Sequence, residues 1–248
     1  MSSLDKMLGL LSLFSDSRVE IDRDEVATLL QCSRATAYRY LKALSDTGML
    51  VSPSSGVFVL GPRVIELDRL IRCNDPLLRA SRPSMEELNS ELDISVMLCS
   101  YYGDHVLCVD SIWTETGGPR IHYERGRPMS IFAGSMAKVI LANVSPYQRR
   151  NLMLHHAQEL HQAGLGANWK EFSANLQRIR RERVCITRGE VVADLTGVAA
   201  PIFDSDNRVL GSITLVVDDQ QLSQVDPFTL STRIEKSADQ ITNHLRKA

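Results

Sequence analysis

Residues 24–50, DEVATLLQCSRATAYRYLKALSDTGML, place two short helical patterns three or four residues apart. The first carries Val26, Ala27, Leu29 and Leu30 and stops near Gln31. The second begins after Ser33, a residue suited to accept from the free N–H groups of a helix start, and runs to about Thr47. Gly48 then suits the left-handed position that ends a helix. Asp22, followed three residues later by Glu25, is a variant of the capping box for the first helix. On the second helix Ala37, Tyr40, Leu41 and Leu44 share one face by their i, i+3, i+4, i+7 spacing. The opposite face holds Arg34, Ala35, Thr36, Tyr38, Arg39 and Lys42, so residues 33–45 contain three cations and no carboxylate. The nearby acids Asp22, Asp24, Glu25 and Asp46 all lie outside it. DNA phosphates repel carboxylates, and this distribution suits a helix laid in the major groove. There Arg pairs bidentately with guanine, and Thr or Ala meets the thymine methyl. For a lone helix a solvated cationic face is the ordinary explanation.

The flanking sequence argues against that explanation. In front, Leu4, Met7, Leu8, Leu10, Leu11 and Phe14 recur at helical spacing. Behind, the β-prone runs 50–51 and 57–60 enclose the turn sequence SPSSG, a hairpin that forms a wing. Helical spacing resumes in RVIELDRLIRC (63–73) with Val64, Leu67, Leu70 and Ile71, until NDP interrupts it. These signals predict a winged helix-turn-helix DNA-binding domain over 1–61, a linker helix over 62–76 and a second domain over 77–248.

The second domain has a different texture. Residues 93–113 read as two strands around a Gly-Asp turn, and PRIHYE (119–124) as a third. SIFAGSMAKVILANV is a helix entered through Gly134, and residues 145–156 and 168–183 are further helices. Residues 184–219 hold two long strands joined at DSDNR, and a helix from about Pro227 closes the chain. Strands in the middle with helices at start and end predict an α+β domain of sensory type.

Composition narrows the classes. A chain of 248 residues, 44% hydrophobic and 23% charged, is globular and long enough for two domains. The net charge of −2 gives no whole-protein field for nucleic acid. Residues 1–62 carry six cations against seven carboxylates, so one copy binds DNA weakly and a dimer is needed to double the contacts. The apolar stripes at residues 4–14 and 64–71 offer the pairing surfaces. The five cysteines are scattered without a CxxC pair, which argues against a disulfide framework and a Cys-based zinc site. His155, His156 and His161 lack the i, i+4 spacing of a helical metal pair. No nucleophile elbow, HExxH or phosphate-loop sequence appears, so no catalytic residue, cofactor or metal is expected. The apolar N-terminus bears Asp5 and Lys6 and has no cleavage site after Ser15, and no run reaches the roughly 20 apolar residues of a membrane span. A cytoplasmic protein without a membrane partner is expected.

On these residues the chain resembles the IclR-type bacterial transcriptional regulators. EVATLLQCSRATAYRYLKALSDTGML fits their winged helix-turn-helix, and VFVLGPRVIEL fits the end of the wing and the linker helix. GSMAKVILA occupies the place of a G-x-G-K-A-x-L-A-like segment, and GVAAPIFDSDNRVLGSITL matches the terminal strand pair. The resemblance implies a GAF-like effector-binding domain with a central antiparallel sheet, and a homodimer or dimer of dimers on double-stranded operator DNA. DNA contacts would come from Ser33, Arg34, Ala35, Thr36, Tyr38, Arg39 and Lys42. The effector would be a small organic acid or aromatic compound, held partly by backbone N–H groups of Gly134, Ser135 and Met136, with Phe132 alongside. A helix N-terminus attracts carboxylates on physical grounds as well. Where keto-acid binders of the family place an Asp, a Cys and two Ser, this chain aligns Thr187, Gly197, Thr214 and Val216. That thinner polar set implies a larger or more apolar effector. Arg188, Glu190 and Asp194 lie nearby, but at strand spacing half of them must face solvent. Repression is the commoner behaviour in the family. The alternatives are an activator, or a small-molecule-binding or enzymatic module whose helices contact protein.

Overall fold

The computed structural model describes residues 2–102, 105–114 and 124–247. It divides into two compact units, Met1–Asn74 and Asp75–Ala248.

The first unit begins with α1 (Ser3–Gly9), capped by Ser2 and Asp5 in a reciprocal capping box, and continues into a 3-10 turn, Leu11–Leu13. The expected single helix to Phe14 thus breaks at Gly9, the poorest helix former in the stretch. The short strand β1 (Glu20–Asp22), not foreseen from sequence, leads directly into α2 (Arg23–Leu29). Asp22 belongs to both, pairing opposite Val57 in the sheet and accepting from the Asp24 N–H at 2.7 Å. Asp22 caps α2 by itself, in place of the expected box with Glu25. Ser33 caps α3 (Arg34–Asp46), accepting from Thr36 N–H at 3.2 Å. β2 (Leu50–Ser54) and β3 (Val57–Leu60) form the hairpin, turning at Gly56 (φ +85°), and β1 adds on β3 to give the order β1-β3-β2.

Ala37, Tyr40, Leu41 and Leu44 turn inward and bury against Leu10, Ile21, Val26 and Leu50. Each fully buried aliphatic side chain of this kind contributes roughly 1.5–3 kcal/mol. The end of β3 passes directly over the end of α3. Gly61 N–H donates to the Met49 carbonyl, and a Cβ on Gly61 would stand 2.1 Å from the Gly48 carbonyl oxygen. The unit closes with α4 (Pro62–Asn74), which buries none of its residues and leaves Ile65, Leu70 and Ile71 exposed.

The second unit is a six-stranded antiparallel sheet between two helical layers. α5 (Pro76–Leu92) starts at an Asp75 cap, and β4 (Ser95–Tyr102) and β5 (His105–Ile112) follow as expected. The expected turn at Gly103 and Asp104 lies outside the described residues, as does the expected strand 119–124 apart from Glu124. A three-residue strand, β6 (Pro128–Ser130), forms the sheet edge. α6 (Ser135–Asn143), α7 (Pro146–His155), the short α8 (Ala157–Gln162) and α9 (Trp169–Glu182) come next. The region read as two long strands is three: β7 (Cys185–Arg188), β8 (Leu195–Phe203) and β9 (Val209–Asp218). A short helix α10 (Asp219–Gln224) precedes the closing α11 (Pro227–Leu245).

The strand order is β6-β5-β4-β9-β8-β7. Period-two alternation sends Val96, Leu98, Val198, Ala200, Ile213 and Leu215 to a core with α5 and α11. Met97, Cys99, Ala199 and Val216 point to the other face, into a core with α6 and α9 centred on the fully buried Phe172.

Gly61→Ala should destabilise the first unit by about 1–3 kcal/mol, because its methyl group meets fixed backbone. Gly9→Ala, whose Cβ meets nothing within 4 Å, should be neutral or stabilising by up to about 1 kcal/mol. Urea unfolding of both variants checks this, and equal effects would contradict the packing described.

Candidate functional site

Each unit carries a candidate site. In the first, burial of one α3 face leaves Ser33, Arg34, Ala35, Tyr38, Arg39 and Lys42 on the other, with Thr36 half-buried between them. The Thr36 hydroxyl accepts from Ser33 Oγ at 2.9 Å and, weakly, from Arg39 Nη2 at 3.4 Å. Arg34 approaches Asp24 at 3.9 Å with its side chain 84% exposed, a contact too open to hold it in place. Tyr38 is 52% exposed, so its ring and hydroxyl are open to solvent on this face. The surface is cationic and amphipathic, with donors projecting from the first two turns.

In the second unit α6 lies against the sheet at β8 and β9. Ser212 Oγ donates to the Met136 carbonyl at 3.2 Å, and Cys99 Sγ meets Met136 Sδ at 3.5 Å. A Cβ on Gly197 would stand 2.4 Å from Ser135 Oγ, so the bare Cα of β8 is what admits the start of the helix. Gly134, the N-cap, has φ +82° and ψ 157°, a region only glycine occupies readily, and provides no side-chain cap.

A small cavity opens at this helix start, lined by Gly134, Ser135, Met136, Thr187, Gly197 and Val216 together with Glu190, Val191, Val192 and Leu195. Six of the eight residues expected from sequence therefore converge. Phe132 and Thr214 do not line it. Phe132 is buried with its ring 5.4 Å from His156, and Thr214 is buried two residues before Val216 on β9. The cavity is only about 30 Å³, space for two or three waters. The room that Gly197 and Val216 suggested is not open in this conformation.

The four further lining residues come from the loop after β7 and the first residue of β8. Strand spacing ends at Arg188, which turns out to Asp219 at 2.7 Å, and Gly189 (φ +68°) starts a loop closed by Gly189 N–H to Leu195 O at 2.9 Å. Glu190 thus belongs to a loop, where the expected strand alternation does not apply. Its Oε2 accepts from Gly134 N–H at 3.0 Å, and its Oε1 accepts from Lys138 Nζ at 2.6 Å. One sequence signal could have found the pair. Lys138 stands among apolar residues of a helix that is buried nearly all round, and a buried ammonium requires an anion.

A second, more polar cavity of about 130 Å³ lies on the other side of this pair, lined by Lys138, Asn175, Arg178, Glu182, Cys185 and Ile186, and sharing Thr187 and Glu190 with the first. Burial pushes the Cys185 thiol up to about 11, opposed by nearby Lys138, so it lines the cavity as a neutral group at pH 7. No cluster of three metal-ligating side chains occurs among the described residues.

Comparison with known proteins places both sites in context. Residues 73–243 match the family model described as the C-terminal region of the bacterial transcriptional regulator IclR, and residues 3–53 match the IclR helix-turn-helix domain. An HTH-type transcriptional regulator from Bacillus subtilis, KipR, is 24% identical over 97% of this chain and 95% of its own length. The DNA-binding transcriptional repressor YiaJ of Escherichia coli is 22% identical over 98% of this chain and 87% of its own. Among solved structures, an ICLR transcriptional regulator from a Silicibacter species superposes with a TM-score of 0.81 at 21% identity, covering 100% of this chain and 97% of that one. An IclR homologue from Microbacterium hydrocarbonoxydans, complexed with 4-hydroxybenzoate, gives 0.74 at 19% identity with both chains fully covered.

Gly134→Ala should cost about 1–3 kcal/mol of stability in the second unit, since it combines the disallowed backbone conformation with a Cβ 2.9 Å from Val191 Cγ2. A calorimetric scan that matched the unsubstituted protein would refute the strained entry into α6.

Proposed function

The chain belongs to the IclR family of transcriptional regulators, and from that premise we propose that it represses transcription by binding an operator as a dimer or dimer of dimers. The observation that carries this reading is the exposed face of α3, where Arg34, Arg39 and Lys42 stand with no carboxylate in the first three turns; the one acid of the helix, the exposed Asp46, is its last residue. In the proposed complex α3 enters the major groove. Arg39 and Arg34 carry most of the contact, Thr36 and Tyr38 read or position alongside, and Ser33, Ala35 and Lys42 complete the surface. The name of the Escherichia coli relative, a repressor, supports the sign of regulation.

Assembly follows from charge and from exposed apolar surface. One N-terminal unit brings too little positive charge for tight binding, so two act together on a pseudo-palindrome. Ile65, Leu70 and Ile71 on α4, with Leu4 and Leu8 on α1, are exposed and supply pairing surfaces. The linker role of α4 and the cytoplasmic location are part of the same reading.

We further infer that the second unit binds a small organic acid with an apolar or aromatic body, which alters operator affinity. Gly134, Ser135 and Met136 at the α6 start, with Thr187, Gly197 and Val216 opposite, form the site; the buried Phe132 and Thr214, expected there from sequence, do not line it as the site stands. The 4-hydroxybenzoate in the Microbacterium structure supports an aromatic acid as the ligand class.

Gel shift on the DNA upstream of the protein's own gene should give a specific complex, and Arg39→Ala should weaken it by about 1–3 kcal/mol while relaxing specificity at one position per half-site. Unchanged affinity in both Arg34→Ala and Arg39→Ala would remove α3 from the interface. Reporter expression rising upon deletion of the gene identifies a repressor, and falling expression an activator. Light scattering at micromolar concentration should show a dimer or tetramer, and a tightly binding monomer would contradict the assembly.

A further inference from the structure

The α6 start holds an anion already, and it is the protein's own. Glu190 reaches in from the 189–194 loop and gives one oxygen to Gly134 N–H and the other to Lys138 Nζ. Such a two-pronged contact is what a ligand carboxylate would make at the same place. Lys138 has its side chain only 10% exposed, and its one ion partner among the described residues is Glu190. Glu190 is far less committed, with its side chain 33% exposed on a loop whose residues 189–194 are all exposed. Withdrawing this carboxylate with nothing in its place would leave a buried ammonium unpaired, so Glu190 leaves only when another anion takes over Lys138.

Independent signs of an unfilled site surround the pair. The Ser135 hydroxyl is buried, has no hydrogen-bond partner among the described residues, and points at the bare Cα of Gly197. The two cavities, one apolar and about 30 Å³, the other polar and about 130 Å³, both have Glu190 and Thr187 in their walls. Glu190 therefore stands as a partition between two spaces, neither of which suits an aromatic acid as it is.

We propose that Glu190 is a resident carboxylate that keeps the effector site closed, and that an incoming carboxylate replaces it on Gly134 and Lys138, opening the two cavities into one. The proposal rests on the reading of the second unit as an effector-binding domain and adds how that site is regulated and selected. The exchange trades one carboxylate for another, so Lys138 keeps a counter-ion throughout. Neutral analogues cannot drive it, because they would leave Lys138 bare. Ser135 and Thr187 become hydroxyl donors to the new ligand. Val191 and Val192, both exposed on the loop, leave the cavity mouth together with Glu190.

Glu190→Ala creates the vacancy, and acetate, the smallest carboxylate that reproduces the lost group with its adjoining carbon, is the first probe. The full-length variant should melt lower than the unsubstituted protein, and acetate should restore its melting temperature saturably, while acetamide does not and the unsubstituted protein shows no such response. If Glu190→Ala folds only in the presence of acetate, that is the same rescue. Glu190→Gln keeps the shape and the acceptor for Gly134 while removing the competing charge. By calorimetry it should bind benzoate about ten-fold or more tightly than the unsubstituted protein, and benzamide no better. Acetate acting on neither or on both proteins alike, or equal benzoate affinity with and without the Glu190 charge, would overturn the exchange. Operator gel shifts run in parallel separate the two readings. Rescue and tighter benzoate binding without any change in operator affinity would refute the effector role while leaving the exchange intact.

Discussion

The closeness of α6 to the sheet governs the second unit. A helix can lie this near a β-surface only where the strand beneath it has no side chain, and Gly197 supplies that gap under Ser135. Ser212 then reaches the Met136 carbonyl, and residues 135–142 are all buried. Two consequences stem from the same contact. The helix start must be approached through a backbone conformation that only Gly134 adopts readily, so no side-chain cap is available there. And a lysine on such a helix has little access to water, so its charge must be met inside the fold. The Glu190 loop answers both at once, which explains why the chain leaves strand geometry at Gly189.

The first unit solves a different problem with equally short means. Its core rests on eight buried apolar residues, a small number for a unit of this length. Caps compensate in part: Ser2, Asp22 and Ser33 each close a helix start, and a capping residue of this type contributes about 0.5–2 kcal/mol. Because α3 is fixed by one face to that core, its other face is free of packing duties and can carry long cationic side chains without penalty.

Much of this is legible in the sequence, and the limits have physical causes. The α3 face, its Ser33 cap and the hairpin behind it are visible because period-3.6 and period-2 patterns are local. The helix entered through Gly134 and the C-terminal strand pair stand out for the same reason. β1 and β6 are three residues each, too short for any period, and exist only because a neighbouring strand edge receives them. At the candidate pocket, the sequence points to Gly134, Ser135, Met136, Thr187, Gly197 and Val216, whereas Phe132 and Thr214, expected on its wall, are buried without lining it. The Lys138–Glu190 pair escapes a linear reading. Its members are 52 positions apart, and strand alternation carried past Gly189 hides the loop that unites them.

The 13-residue helix α4 has one further implication. It buries none of its own residues within its unit, and a helix of this length is marginal alone in water. Anything that covers Ile65, Leu70 and Ile71 contributes stability through mass action, so α4 is ordered in proportion to how much of its cover is present. Under the proposed pairing, where that cover is a second copy of the chain, the number of molecules per cell becomes a structural variable. Halving the abundance of the protein would then change how well each remaining copy holds its shape as well as how many copies there are.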